Sequence, residues 1–233
     1  MTGDERDPAA SAGHTPGGAA PDDVALPAAT AALISLSAAL AAGDDRVLGA
    51  ALDVAALRAD RVGAEEVLLQ SYLFLGYPAA LRALAAWRER VGGPAASEAP
   101  EEERALWHER GQAVCERVYG GAYERLRENV RRLHPDIERW MLEEGYGKVL
   151  GRTGLPLRER ELCIVALLAG LPAPHQLHSH LRGALNAGAS PQQLEGALEL
   201  AAAVLAPERI AAARALWAAV LERWRERDRT PDR

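Results

Sequence analysis

The sequence predicts an all-α protein, and three observations carry that reading. Ala, Leu and Arg dominate while β-branched and aromatic residues are scarce, a composition that favours helix. Apolar residues recur at helical spacing in block after block. Gly and Pro punctuate the blocks where a helix would stop. With 233 residues, 48% of them hydrophobic, the chain is long enough for one large or two small domains with a sizeable core. The net charge of −6 is spread over interspersed Arg and Glu, an ordinary surface that argues against a nucleic-acid partner. No apolar run approaches the roughly 18 residues needed to span a bilayer, so no membrane partner is expected.

Taken in order, residues 1–24 are acidic and rich in Gly, Pro and Ala, without the apolar segment of a secretory signal, and read as a disordered tail. Residues 28–42 form an apolar helix closed by Gly43. A second helix is expected over 46–61, with Gly63 as the break before the next. That next helix, EEVLLQSYLFLGYP, opens on acidic residues that suit a helix dipole and stops at Pro78. Another follows over 79–90. Residues 91–104 are a Gly/Pro/Ala/Glu linker. A long helical stretch over 105–133 is interrupted at Gly120 and Gly121. A turn at His134 and Pro135 follows, with Asp136 as a candidate N-cap. Residues 145–154, GYGKVLGRTG, read as a glycine-studded connection that lacks the spacing of a phosphate loop. The last helix is expected to end near Arg225, leaving 226–233 as a polar tail.

The stretch 155–207 organises the rest. Its first helix is almost wholly apolar over 162–169, which makes it a core helix. Leu157, Glu161, Ile164, Val165 and Leu168 fall on one stripe, so Glu161 points inward, where a carboxylate needs a partner. The next helix carries Leu177, His180, Leu181 and Ala184 on its inward face, with His178 and Arg182 on a wetter one. An inward Glu and an inward His are natural partners, and such a pair is suited to moving a proton. The third helix starts at a capping box, Ser190-Pro191-Gln192-Gln193.

Residues 66–87 line up with residues 195–217, one residue being inserted in the second copy, and both end on a Trp. This reads as an internal repeat whose first copy offers only Ser35 and Ser37 where the second has Glu161, and no histidine for His180. The organisation expected is a degenerate helical repeat over 25–90, the linker, and a second domain over 105–225.

Two isolated cysteines, Cys115 and Cys163, suggest free thiols in a reducing cytoplasm. Cys163 reads as a small buried hydrophobe, Cys115 as a residue at a helix surface. His175, His178 and His180 form no closed ligand set, and no metal is expected.

The run Arg158-Glu159-Arg160-Glu161, the motif His180-x-x-Gly183-Ala184-Leu185-Asn186-Ala187-Gly188, and the residues from Gln193 to Glu195 resemble the carboxymuconolactone decarboxylase family. That family shares its fold with alkyl hydroperoxidase D. The resemblance covers roughly residues 105–222 well and 25–90 more weakly. It implies an alkyl hydroperoxidase D-like helical fold in two tandem copies, with Glu161, His175 and His180 at the family's acid and imidazole positions. The family's two redox cysteines fall on Ala173 and Gln176, so its dithiol chemistry lacks both thiols here. What the resemblance then implies is a cofactor-independent decarboxylase of a small carboxylated lactone or related acid. In it, Glu161, His175 and His180 would be catalytic, and Arg160 and Gln176 would touch substrate. The alternatives are a non-enzymatic binder or scaffold and, third, a peroxidase. The family also implies a homo-oligomer, with a trimer favoured over a dimer or hexamer.

Overall fold

The computed structural model describes residues 25–96 and 104–229, with side chains as far as 227. The expected tails, 1–24 and 230–233, and part of the linker, 97–103, lie outside the described residues. Eleven α-helices, a short 3₁₀ turn and one π-helical segment make up the described chain, with no strand among those residues.

The first four helices form one group. Helix α1 (Ala28–Ala42) is apolar nearly all round and ends at Gly43 with φ 69°. Helix α2 (Asp45–Arg58) starts where the Asp44 carboxylate accepts from the amides of Arg46 and Val47. The expected break at Gly63 falls earlier, at Ala59–Asp60. Asp60 caps α3 (Arg61–Gln70) by accepting from the Gly63 amide at 2.8 Å, so Gly63 is buried inside that helix. A side-chain cap outweighs a lone glycine as a boundary signal. Helix α4 (Tyr72–Val91) is kinked at Gly76, where φ is 77°, just before Pro78.

Helix α5 (Arg104–Tyr119) leads into α6 (Tyr123–Leu133) and α7 (Pro135–Trp140). The cap of α7 is His134, whose Nδ1 accepts from the Asp136 amide at 3.1 Å, not Asp136 as expected. The expected glycine-studded connection is in large part helical: Met141–Leu150 is a π-helical segment packed along α5. Glycine is needed there for close approach. A Cβ on Gly147 would lie 1.9 Å from the Trp107 carbonyl oxygen, and one on Gly111 2.0 Å from that of Leu142.

The last group is α8 (Leu157–Leu168), α9 (Pro174–Asn186), α10 (Pro191–Ala202) and α11 (Pro207–Arg229). Helix α10 opens on the expected capping box. Helix α11 runs through Arg229, past the expected end near Arg225. Helix α8 is the centre of the molecule, buried on every side from Arg160 to Leu168 and packed against α1, α9 and α10. The neighbours run in parallel in the two groups. Helix α1 touches α2, α3 and α4, α2 touches α3 and α4, and α3 touches α4; α8, α9, α10 and α11 touch one another in the same pairs except that of α1 with α4. Trp87 and Trp217 are both buried near the ends of their units. The groups meet where α1 lies on α8, and there the buried Ser37 hydroxyl donates to the Cys163 carbonyl at 2.7 Å.

Candidate active site

The structure brings Glu161 and His180 together. Glu161 is fully buried on α8, and Nδ1 of His180, on α9, lies 2.9 Å from Glu161 Oε2. The motif around His180 exists to make this contact. At Gly183 a Cβ would come within 2.7 Å of both Glu161 Oε2 and Val118 Cγ1, so only glycine lets the carboxylate lie against α9. Asn186 donates from Nδ2 to the Val118 carbonyl at 2.7 Å, tying α9 to the end of α5. Gly188, with φ 93°, closes α9 while the Ala189 amide donates back to the Ala184 carbonyl at 2.8 Å, a Schellman-type end.

With Nδ1–H donating to the carboxylate, the neutral imidazole keeps its lone pair on Nε2, and the protonated ring presents an N–H there. The other carboxylate oxygen, Glu161 Oε1, is buried and has no hydrogen-bond partner among the described residues. An acceptor left without a donor in an apolar interior is costly.

Several side chains that sequence reasoning missed complete the surroundings. Phe74, from the kinked start of α4, meets the His180 ring edge-on, with centroids 5.8 Å apart. The hydroxyls of Tyr119 and Tyr146 lie 3.3 Å apart. Burial pushes both phenols up from their ordinary value, with the Glu161 charge adding to the effect, so both remain proton donors. Cys115 faces the same region. It is fully buried, not at the helix surface as expected, and burial pushes its thiol up to about 12. The signal for α5 was present in the sequence: Gly111, Cys115, Val118 and Tyr119 fall on one helical stripe.

The other expected site residues are placed differently. His175 is exposed near the start of α9, five positions before His180 and so about 140° away around the helix. It is not brought to the pair. Gln176 is also exposed, but one turn before His180 on the same face, and the half-buried Ala173 ends the preceding loop. Arg160, expected to meet a substrate carboxylate, is instead fully enclosed. Its Nη2 donates to Glu66 Oε2 at 2.7 Å and to the Arg152 carbonyl at 3.0 Å, its Nε to the Leu155 carbonyl at 3.0 Å, and its Nη1 to Gln70 Oε1 at 3.3 Å. From Arg160 to Leu168 every residue of α8 is buried, so Arg160 has no open face to present. Among the described residues, no three of His, Cys, Asp and Glu converge as metal ligands would.

The described residues are all-α, which fits an alkyl hydroperoxidase D-like helical fold. Residues 135–219, from α7 into α11, match the carboxymuconolactone decarboxylase family. Over 140 residues it is 30% identical to Peroxisomal protein 2 of Schizosaccharomyces pombe, an alignment covering 58% of this chain and 65% of that protein. The match therefore spans a little under two thirds of that relative. Tyr146, Glu161 and His180 lie inside the family match; Phe74, Cys115 and Tyr119 lie outside it.

Proposed function

We propose that this carboxymuconolactone decarboxylase-like protein is a cofactor-independent decarboxylase of a small carboxylated lactone or related acid. The observation that carries the reading is the buried 2.9 Å contact between Glu161 and His180, with Glu161 Oε1 free to accept. Breaking the C–CO2 bond leaves an electron pair on carbon, which a conjugated lactone or enone delocalises onto its carbonyl oxygen. The protonated His180 then delivers a proton from Nε2 to the carbanion, while Glu161 stabilises the imidazolium through Nδ1–H. Gln176, on the outer side of His180, is suited to touching substrate, and His175 would act only on the part of a substrate that reaches the start of α9. Purified protein mixed with carboxymuconolactone should release CO2 with loss of ring absorbance. No turnover by the wild type, or equal turnover by His180→Ala, rules the assignment out.

A second reading is a non-enzymatic small-molecule binder, and the enclosure of Arg160 favours it, because the expected carboxylate clamp is spent inside the fold. It requires thermal stabilisation by the lactone with no turnover. A dithiol peroxidase is disfavoured by Ala173 and Gln176 at the thiol positions, and a peroxide-reduction assay with a dithiol donor should read zero.

Exposed apolar side chains such as Leu57, Tyr77 and Leu81 support a homo-oligomer, a trimer first, which light scattering on the purified protein would test. The parallel packing of α1–α4 and α8–α11 supports the two groups being copies of one unit. A cytoplasmic location belongs to the same proposal and would be tested by cell fractionation. Among the described residues no single helix is long and apolar enough to cross a membrane.

A further inference from the structure

Helix α9 has two working faces. His180 looks inward to Glu161, while His178 and Arg182, each two positions away and so about 160° around the helix, look outward as a pair one turn apart. Opposite them α11 presents Val220, Arg223, Glu226 and Arg227, and the two helices line an open cavity of about 440 Å³. That volume lies in the range of small-molecule sites.

The charge in this cavity is unbalanced. The groups that act most strongly on Arg182 are Arg227, Arg125 of α6 and Arg223, all cations; together with burial, which acts first, they pull its guanidinium down from its ordinary value. The His178 imidazole is lowered for the same reasons, burial first, then Arg182, Arg223 and His175. Glu226 also lines the cavity, yet among the described residues no ion pair joins it or any other carboxylate to Arg125, Arg182, Arg223 or Arg227. Several arginines elsewhere in the molecule are neutralised, as Arg127 is by Glu138 at 2.8 Å and Arg90 by Asp53 at 2.7 Å. Arg227 is oriented by the Trp224 ring, 5.1 Å from its centroid. On a chain of net charge −6, gathering these cations in one concavity costs stability unless an anion answers them. Planar guanidinium forks match the oxygens of carboxylate and phosphate.

The geometry points to the cavity between α9 and α11 as a binding site for a small, multiply charged oxyanion, a molecule bearing phosphate or several carboxylates, seated on Arg182 and Arg223 with His178 at its edge. The site is separate from the acid–imidazole pair and does not depend on the proposed reaction.

Isothermal titration calorimetry at constant ionic strength tests it, with pyrophosphate and citrate as separate probes. The wild type should bind at least one of them, the stronger probe distinguishing phosphate from carboxylate chemistry. The double variant Arg182→Gln/Arg223→Gln should bind about 10-fold or more weakly, as expected when contacts worth at least ~1.4 kcal/mol are removed. Glu226→Gln, which deletes a carboxylate from the rim, should bind more tightly than wild type, and it keeps the test decisive should the double variant not fold. Failure of both probes to bind the wild type, equal binding by a folded double variant, or unchanged or weaker binding by Glu226→Gln would each overturn the assignment. So would a wild type that binds neither anion while the double variant shows a lower mass by light scattering, since this face would then join copies of the chain.

Discussion

At the scale of single residues, the question is whether the buried acid and imidazole react or merely pack. Glu161→Gln separates the two. The amide keeps the volume and can still accept from Nδ1–H of His180 through its carbonyl, so stability should fall by only about 1 kcal/mol. The charge that supports the imidazolium is lost, so turnover should fall on the order of 10²-fold or more. Urea unfolding beside a decarboxylation assay reads both, and a variant as active as wild type would reduce the pair to a structural role. The thiols give a second prediction. Burial pushes Cys115 up to about 12 and raises Cys163 as well, so both should resist iodoacetamide in native protein at about pH 8 and react after unfolding. The sign for stability follows. The unfolded thiol releases its proton near its ordinary value of about 9, the folded one only far above it. Unfolded chain therefore binds fewer protons above about pH 9, and stability should decline as pH rises from there. A urea midpoint that is flat from about pH 8 to 10 would contradict the burial of both groups.

At the scale of elements, the glycines decide more than the apolar stripes do. Gly147 and Gly111 let the π-helical segment cross α5 with backbone against backbone. A methyl at Gly147 would overlap the Trp107 carbonyl, so Gly147→Ala should cost ~3 kcal/mol or more, roughly 6–12 °C in thermal midpoint. Gly183→Ala should be milder in stability but should push the Glu161 carboxylate off His180 and abolish turnover. Nuclear magnetic resonance of the His180 ring would show the lost hydrogen bond; an unmoved signal would mean the carboxylate had room to spare. These elements also show what the sequence makes legible. The inward stripe of α8, the capping box of α10 and the facing of Glu161 and His180 follow from periodicity and from the cost of burying a lone charge. The π-helical segment does not, because two glycines in ten residues, with two more just beyond at Gly151 and Gly154, are the usual mark of a loop. The Trp107 carbonyl packed against Gly147 explains that glycine, while Gly145 has open space around it. Arg160 was misplaced for a related reason, since a one-face rule says nothing about a helix enclosed on every side.

At the scale of the whole molecule, the two four-helix groups are held together by a polar joint as well as by apolar contact. Glu66 on α3 takes Arg160 at 2.7 Å and Arg152 at 2.9 Å, with Glu66 and Arg160 both removed from water. Desolvating such charges is expensive, so the joint specifies how the halves meet more than it stabilises them. Removing one member should be severe: Glu66→Ala leaves Arg160 buried and its main charge unanswered, and should cost about 3–5 kcal/mol in urea unfolding. Replacing both partners by apolar residues of similar size, Glu66→Leu with Arg160→Met, should restore most of that loss. The same variants decide what Arg160 is for. If it held a substrate carboxylate, the double variant would fold and yet show a greatly raised KM for the lactone. If its work is to dock one half on the other, KM should stay within about 2-fold of wild type once the fold is restored. The enclosure of its guanidinium by Glu66, Gln70 and two backbone carbonyls makes the second outcome the expected one, because no donor that faces a cleft remains for a ligand to use.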